Sequence, residues 1–382
     1  MHVGYSLLTL FPDRVGGTET YVRDLLAQYA RGNGPEKVTV LANRHVLEAY
    51  RSRVRGPVSI HHVRSYPPGD RYTTRAIAMA SAWALPGRAA RDVPAGLDVV
   101  HYPVTVPIPR PRGPSVVTIH EIVHHLSPGT LNRAERAYRR VAYDGSVRAA
   151  TVVVTTNNLL KASLVDRVGL DPDRVEVIYY GVDRERFSPG PSSADDRIEA
   201  LNLPEQYLLF PANVWPHKNH ERLIEAFARV PDDELHLILA GQTYGRLQPL
   251  LELARRLGVG TRVHHLGFIA PDDLPALYRR ARATVFPSLY DNFPSPPLES
   301  MACGCPVACS LSGAMGELYE GAVEPIEPED VSSITAAIER VCTDDDLRES
   351  LRKAGFERAQ RYTWETAARR HTDAYARAAA AA

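Results

Sequence analysis

Short, unbroken runs of Val, Ile and Leu recur along the chain, and helical periodicity follows most of them. In the first half the strand candidates are "HVGYSLLTL", "KVTVLAN", "VSIHHV", "DVVHYP", "SVVTIH", "TVVVTTN" and "VEVIYYG". Helices are predicted over Thr73–Ala84 and near residues 18–30, 131–149 and 159–168. A strand with one wet face alternates apolar and polar residues. A continuous apolar run has no wet face, so helices must cover the sheet on both sides. That pattern implies parallel strands joined by helical crossovers and restricts the chain to the α/β class.

The pattern is broken once. "VDRERFSPGPSSADDRIEALNLPEQ", residues 182–206, is polar and rich in Pro, Ser and acids, and is predicted to be a linker. The alternation then restarts with the strands "YLLFPAN", "HLILAG", "RVHHLGF", "ATVFPS" and "PVACS". Helices are expected near residues 219–229, 245–257, 271–281 and 297–303, followed by a helical tail over 332–381. The last piece, "TWETAARRHTDAYARAAA", is placed to reach back onto the first domain. The expected architecture is α/β, with two tandem Rossmann-like doubly wound domains facing a cleft and a C-terminal helix crossing back to the first. The predicted domains are 1–187 plus 363–382, and 188–362.

Composition narrows the function. The formal net charge of the 382 residues is zero, which argues against a dedicated nucleic-acid binder. The zero conceals an asymmetry: residues 1–185 hold 24 Lys+Arg and 17 Asp+Glu, leaving 21 and 28 for the rest. The first half is therefore basic and the second acidic, as in two domains with different partners. Its basic stretches "RSRVR" and "RAERAYRR" keep peripheral contact with an anionic membrane open beside the plainer reading of a solvated helix face. The four cysteines, Cys303, Cys305, Cys309 and Cys342, lack zinc-finger spacing and are expected as buried free thiols in a cytoplasmic protein. The N-terminus has no cationic lead and reads as a buried first strand. No apolar run is long enough to span a membrane. Lysine is scarce, with four against 41 arginines, so a lysine in a motif carries weight.

In doubly wound sheets ligands bind beyond the carboxyl ends of the strands. After the first strand, Gly16-Gly17 lead into a helix with Thr18 as the candidate N-cap, a combination suited to close backbone approach and to an anion. No GxGxxG stands at a strand–helix joint, which counts against a dinucleotide. His120 ends the strand "VVTIH", with Glu121, His124 and His125 after it; a three-histidine metal site is conceivable, on weak spacing. Lys218 and Asn219 open a helix, where a cation is unfavourable unless an anion docks beside it. In "SLYDNFPSPPLES", Pro296 and Pro297 suit a first helical turn. Amides near Ser295, Leu298 and Glu299 are then expected to point at an anion, with Glu299 placed for vicinal hydroxyls. Phosphate on the amides and ribose on the acid together indicate a nucleotide.

These segments resemble the family-4 retaining glycosyltransferases of GT-B architecture. The resemblance covers nearly the whole chain, in family order: "GGTETYVRDL", "VVTIHE", "VVVTTNNLLKASL", "VEVIYYGVDRERFSP", "WPHKNHERLIEAF", "VHHLGFIAPDDLPALYRRARATVFPS" and "DNFPSPPLESMACGCPVACS". It implies that Glu299 binds the donor ribose and that Asp291 contacts hydroxyls of the donor sugar. Asn292, Phe293, Pro294 and Ser295 would hold sugar and phosphate along their backbone, and Lys218 the pyrophosphate. His120 would contact the sugar near the reacting carbon, and Gly16 and Gly17 would flank phosphates and acceptor. Gly267, Phe268 and Ile269 would meet the base. Three positions depart from the family pattern: Asp291 replaces a glutamate, Asn213 an arginine beside the pyrophosphate, and Pro294 a glycine.

The resemblance implies transfer with retained anomeric configuration from a nucleotide-diphosphate sugar, UDP-linked first and GDP-linked next. The catalytic set would be His120, Lys218 and Asp291, with no metal and no cofactor beyond the donor. The acceptor would bind the first domain, along "HYPVTVPIPRPRG" and "RSYPPGDRYTTR". Natural-product intermediates, lipid-linked sugars and polysaccharide ends stay open as acceptors. The rival readings are a nucleotide-sugar epimerase and a catalytically weak nucleotide-sugar-binding subunit on the same fold. The arginine- and alanine-rich composition fits a GC-rich bacterial genome.

Overall fold

A computed structural model describes residues 1–12, 16–66, 87, 90–126, 129 and 131–381. The helix expected over Thr73–Ala84, and most of the loop 64–75, lie outside the described residues. The chain forms two compact units, Met1–Gly181 with Trp364–Ala382, and Val182–Thr363. The boundaries fall at residues 182 and 363, not 188 and 362. The Val182 amide donates to the Tyr362 carbonyl at 3.0 Å and Val182 bridges Thr363, so both crossing strands are tied together at that point.

The first unit holds seven parallel strands: β1 (His2–Ser6), β2 (Lys37–Ala42), β3 (Val58–His62), β4 (Val99–Tyr102), β5 (Ser115–Thr118), β6 (Val152–Thr155) and β7 (Val175–Val177). Their order is β3-β2-β1-β4-β5-β6-β7, so the winding reverses between β1 and β4. Val3 pairs with Val38 on one side and Val99 on the other, and all three are buried. Each predicted strand is present because a Val/Ile run loses little by being dry on both faces. The helix Gly17–Ala30 begins one residue before Thr18. Its N-cap is Gly16 at φ 57°, ψ −127°, with no side-chain cap, so the expected Thr18 cap is corrected. That backbone conformation suits glycine and no β-carbon-bearing residue. The helix predicted over 131–149 is interrupted. Arg133–Arg139 and Gly145–Ala149 are α-helical, and Arg140–Asp144 between them is a π turn.

The second unit holds β8 (Tyr207–Pro211), β9 (His236–Ala240), β10 (Val263–His265), β11 (Ala283–Phe286), β12 (Val307–Ser310) and β13 (Glu324–Ile326), in the order β10-β9-β8-β11-β12-β13. The winding reverses between β8 and β11. The sixth strand, "EPI", was not foreseen. It is three residues long and carries a proline, which an edge position tolerates. The polar segment 182–206 is packed structure, not a linker. It contains the helix Ala194–Glu199, with Phe187, Ala194 and Ile198 buried. It exchanges ion pairs in both directions with the helix Leu274–Arg280 region: Asp195 meets Arg279 at 2.7 Å, and Arg186 meets Asp272 at 3.1 Å. All four cysteines are free and buried. Among the described residues no helix is long and apolar enough to cross a membrane.

The C-terminal helix Trp364–Ala380 packs on the first sheet and on the helix Gly17–Ala30. It buries Ala367, Ala368, His371, Ala374, Tyr375 and Ala378, one stripe at helical spacing. Small alanines bring it close, and a buried polar chain locks it. His371 Nδ1 donates to the Ala367 carbonyl at 2.7 Å, so its Nε2 accepts from Tyr21 Oη at 2.7 Å. Thr118 Oγ1 then donates to Tyr21 at 3.0 Å and accepts from His101 Nε2 at 2.8 Å. His101 Nδ1 accepts from Tyr375 Oη, which accepts from Tyr29 Oη, each at 2.7 Å. Burial holds His101 and His371 below the ordinary histidine range, so both are neutral and every proton in the chain has one direction.

Candidate functional site

In the second unit the reversal point brings the loops after β8 and β11 side by side. The β8 loop turns through a 3-10 turn, Pro216–Lys218, and then through Asn219 in the left-handed conformation at φ 67°. The buried Asn219 amide donates to the carbonyls of Pro287, 3.0 Å, and Pro328, 2.7 Å, stapling the turn to the β11 loop. The Leu289 amide donates to the His217 carbonyl at 2.8 Å, and the His217 and Tyr290 rings stack at 4.9 Å. These contacts deliver Lys218 Nζ onto Asp291 Oδ2, 73 positions away in sequence, while the ammonium also lies 4.9 Å from the Phe286 ring centroid. Both side chains are largely shielded, at 15% and 19% exposure, which makes their attraction stronger than that of a surface pair.

Beyond Asp291 the chain enters the helix Ser295–Ala302, with Pro294 as N-cap and prolines inside the first turn. The Pro294 carbonyl accepts from the buried Tyr319 hydroxyl. Pro296 and Pro297 carry no N–H, and helical geometry directs the Leu298 and Glu299 amides to carbonyls four residues back. The expected Leu298 and Glu299 donors are therefore corrected; in the first turn only the Ser295 amide keeps that role. Glu299 Oε2 accepts from Tyr278 Oη at 2.9 Å. Burial, with the Glu299 charge beside it, pushes the Tyr278 phenol well above its ordinary range, so it stays a donor and orients the carboxylate. Phe293 and Pro294 are buried, and Asn292 and Ser295 are partly exposed.

The β9 and β10 loops join the same end. Asn213 Oδ1 accepts from the Gln242 amide at 2.8 Å, so Asn213 braces a loop and supplies no charge. The Gly241 amide donates to the Gly267 carbonyl at 2.8 Å. Gly241 has φ 143°, and a β-carbon there would lie 2.6 Å from the Ala212 carbonyl oxygen, so only glycine fits. Gly267 is also left-handed, at φ 75°, and turns the chain so that Phe268 is 66% exposed, with Ile269 partly buried. Trp215 and Tyr244, both exposed, stack at 4.4 Å beside this rim.

In the first unit Gly16 and Gly17 begin the helix after β1, and His120 lies past the end of β5. They are linked through Tyr21, whose ring meets His120 edge-on at 5.1 Å. His120 Nε2 donates to the Pro103 carbonyl at 2.7 Å and Nδ1 accepts from the Tyr180 hydroxyl. Burial lowers its pKa to about 4, so the ring is neutral and both nitrogens are occupied. A ligand would gain a His120 nitrogen only by displacing one of these partners. His120 is also not one of a histidine trio: His124 and His125 instead converge on Asp144. Sequence reasoning missed Tyr278, Gly241 and the polar chain on the C-terminal helix. Gly241 stands directly after a strand, a legible signal, whereas nothing local marks Tyr278 or His371.

Two doubly wound parallel sheets, with charged and amide groups collected where the winding reverses, define the GT-B architecture. A model described as "Glycosyltransferase Family 4" matches residues 15–186, and one described as "Glycosyl transferases group 1" matches residues 192–358. The chain belongs to the family-4 glycosyltransferases. Among its relatives is the O-antigen chain mannosyltransferase B of Escherichia coli, 27% identical over 301 residues covering 77% of this chain and 76% of that protein. A D-inositol 3-phosphate glycosyltransferase of Corynebacterium kroppenstedtii is 28% identical over 279 residues, 69% of this chain; the match spans 62% of that longer protein. The fold is shared with the solved structure of HepE from Anabaena in complex with UDP and glucose, at a TM-score of 0.74, 20% identity and 98% coverage of both chains.

Proposed function

We propose that the protein moves a glycosyl group from a nucleotide-diphosphate sugar, UDP-linked first and GDP-linked next, to an acceptor hydroxyl, with retained anomeric configuration and no catalytic metal. The observation that carries this reading is the Lys218–Asp291 pair, largely shielded at the reversal point of the second sheet, followed by a tyrosine-oriented Glu299 one turn inside the next helix. A cation, two acids and the Ser295 amide at the carboxyl end of a parallel sheet match the alternating charges of a nucleotide-sugar.

On binding, the diphosphate would share Lys218 with Asp291. The lysine and the Ser295 amide would stabilise charge growing on the leaving phosphate, which a water-poor pocket strengthens. Asp291 would turn to sugar hydroxyls and Glu299 to the ribose. With Asp291 and Glu299 engaged in binding, neither serves as a nucleophile, which favours reaction on one face of the sugar, the leaving phosphate taking the acceptor proton. Protein cations and dipoles would replace a metal, and no cofactor is needed beyond the donor. His120 would contribute through shape and position, since its nitrogens are committed. The names of the relatives support glycosyl transfer and leave sugar and acceptor open, as between a polysaccharide end, a lipid-linked sugar and a natural-product intermediate.

A thermal-shift screen of UDP, GDP, TDP and their sugars identifies the donor, because a ligand of the native state raises Tm. Lys218→Ala and Glu299→Ala are expected to lose the shift and to lower turnover by roughly 100-fold or more. Unchanged turnover in both folded variants rejects the site, and epimer formation from donor alone replaces transfer with epimerisation.

A further inference from the structure

His124, His125 and Asp144 gather three metal-ligating atoms inside the first unit, all within 4.8 Å of one another. The short helix Val123–Leu126 supplies both imidazoles, and the last residue of the π turn supplies the carboxylate. His124 Nε2 lies 3.0 Å from Asp144 Oδ1 and His125 Nε2 lies 3.0 Å from Asp144 Oδ2. In a tetrahedral site with metal–ligand bonds of about 2.0–2.2 Å, neighbouring ligand atoms stand roughly 3.3 Å apart. Both imidazole–carboxylate spacings are therefore within a few tenths of an ångström of that value. π turns are uncommon and collect at functional sites, and Asp144, the last residue of this one, is buried.

The hydrogen bonds of the cluster do not satisfy it. His101 and His371, the other buried histidines of the same unit, and the partly buried His120 each have both ring nitrogens bonded. His124 is fully buried, yet its Nδ1 has no hydrogen-bond partner among the described residues, and its one engaged nitrogen is the one aimed at the cluster. His125 is 13% exposed, giving solvent a way in.

We propose that His124, His125 and Asp144 bind a late first-row divalent cation, for which Zn(II) is the probe, with water or an outside ligand in the fourth position. Two imidazoles with one carboxylate suit such an ion better than a hard one. On binding, each imidazole carries its proton on Nδ1 and offers the Nε2 pair, and the Asp144 carboxylate offers one oxygen; no net proton leaves the imidazoles. The ion braces the segment that follows β5 and His120 and has no part in the transfer step.

The test uses the full chain after dialysis against chelator. Titration with zinc chloride by calorimetry is expected to show one equivalent bound, and a hundredfold excess over Kd is expected to raise Tm by on the order of 5 °C. His125→Gln keeps an N–H donor toward Asp144, so the metal-free protein keeps its Tm, while zinc binding weakens at least tenfold. Asp144→Asn should also abolish the zinc-dependent shift. No heat and no shift at excess zinc would overturn the proposal and leave a hydrogen-bonded brace. Unchanged binding in both variants would place the zinc elsewhere. Neither readout depends on glycosyl transfer, so failure here leaves the proposed reaction untouched.

Discussion

The Lys218–Asp291 pair explains why a scarce lysine and a shortened acid occur in the same site. Each neutralises the other, and in the proposed reaction a diphosphate binding to the lysine must displace part of that bond. Asp291→Asn removes the competitor, so nucleoside diphosphate alone should bind as tightly as before or more tightly while sugar transfer falls. Calorimetry with UDP beside a turnover assay reads the two separately, and a parallel loss of both would contradict the arrangement. Gly241 is constrained by geometry alone. Gly241→Ala meets the Ala212 carbonyl at 2.6 Å in a conformation hostile to side chains, and should cost about 2 kcal/mol or more of stability, measured by denaturant unfolding. Glu299 and Lys218 were legible from a strand end followed by a helix start. Tyr278 was not, because its role is a 2.9 Å contact across 21 residues that no local pattern encodes.

At the scale of elements, the C-terminal helix joins the first unit by a directional polar chain rather than by apolar packing alone. Tyr375→Phe deletes one hydroxyl that serves as donor to His101 and acceptor from Tyr29, leaving two buried groups short of a partner. The expected loss is about 1–3 kcal/mol, seen as a lower unfolding midpoint. Trp364 at the other end of the helix stacks on Tyr180 at 5.7 Å and should keep the fold intact in that variant. The strands were legible because a dry Val/Ile run has few alternatives. The edge strand Glu324–Ile326 was not: its proline and its glutamate read as loop, and only pairing with β12 makes them a strand. The segment 182–206 misled for the opposite reason, since Asp195, Arg186 and Arg197 pair with Arg279, Asp272 and Asp273 far along the chain rather than with solvent alone.

For the whole molecule, buried neutral histidines set the acid limit. His120 and His371 in the first unit and His220 in the second each have a pKa lowered to about 4 by burial, against 6.5 unfolded. Between those values the unfolded chain binds more protons than the native one, so stability should fall as pH drops from about 6.5 toward 4 and be unaffected by these groups above 6.5. Tm measured across that range tests it, and His371→Gln should flatten the slope. The sequence by itself determined the α/β class, the two tandem sheets, the returning C-terminal helix and the loops that carry the site, because apolar periodicity and strand-end position are local properties of the chain. Only the tertiary structure decided which of those residues meet: Lys218 with Asp291, Glu299 with Tyr278, and His124 and His125 with Asp144 instead of His120. Such partners are chosen by strand order and helix packing, which bring distant residues to one sheet edge and leave no trace in local spacing.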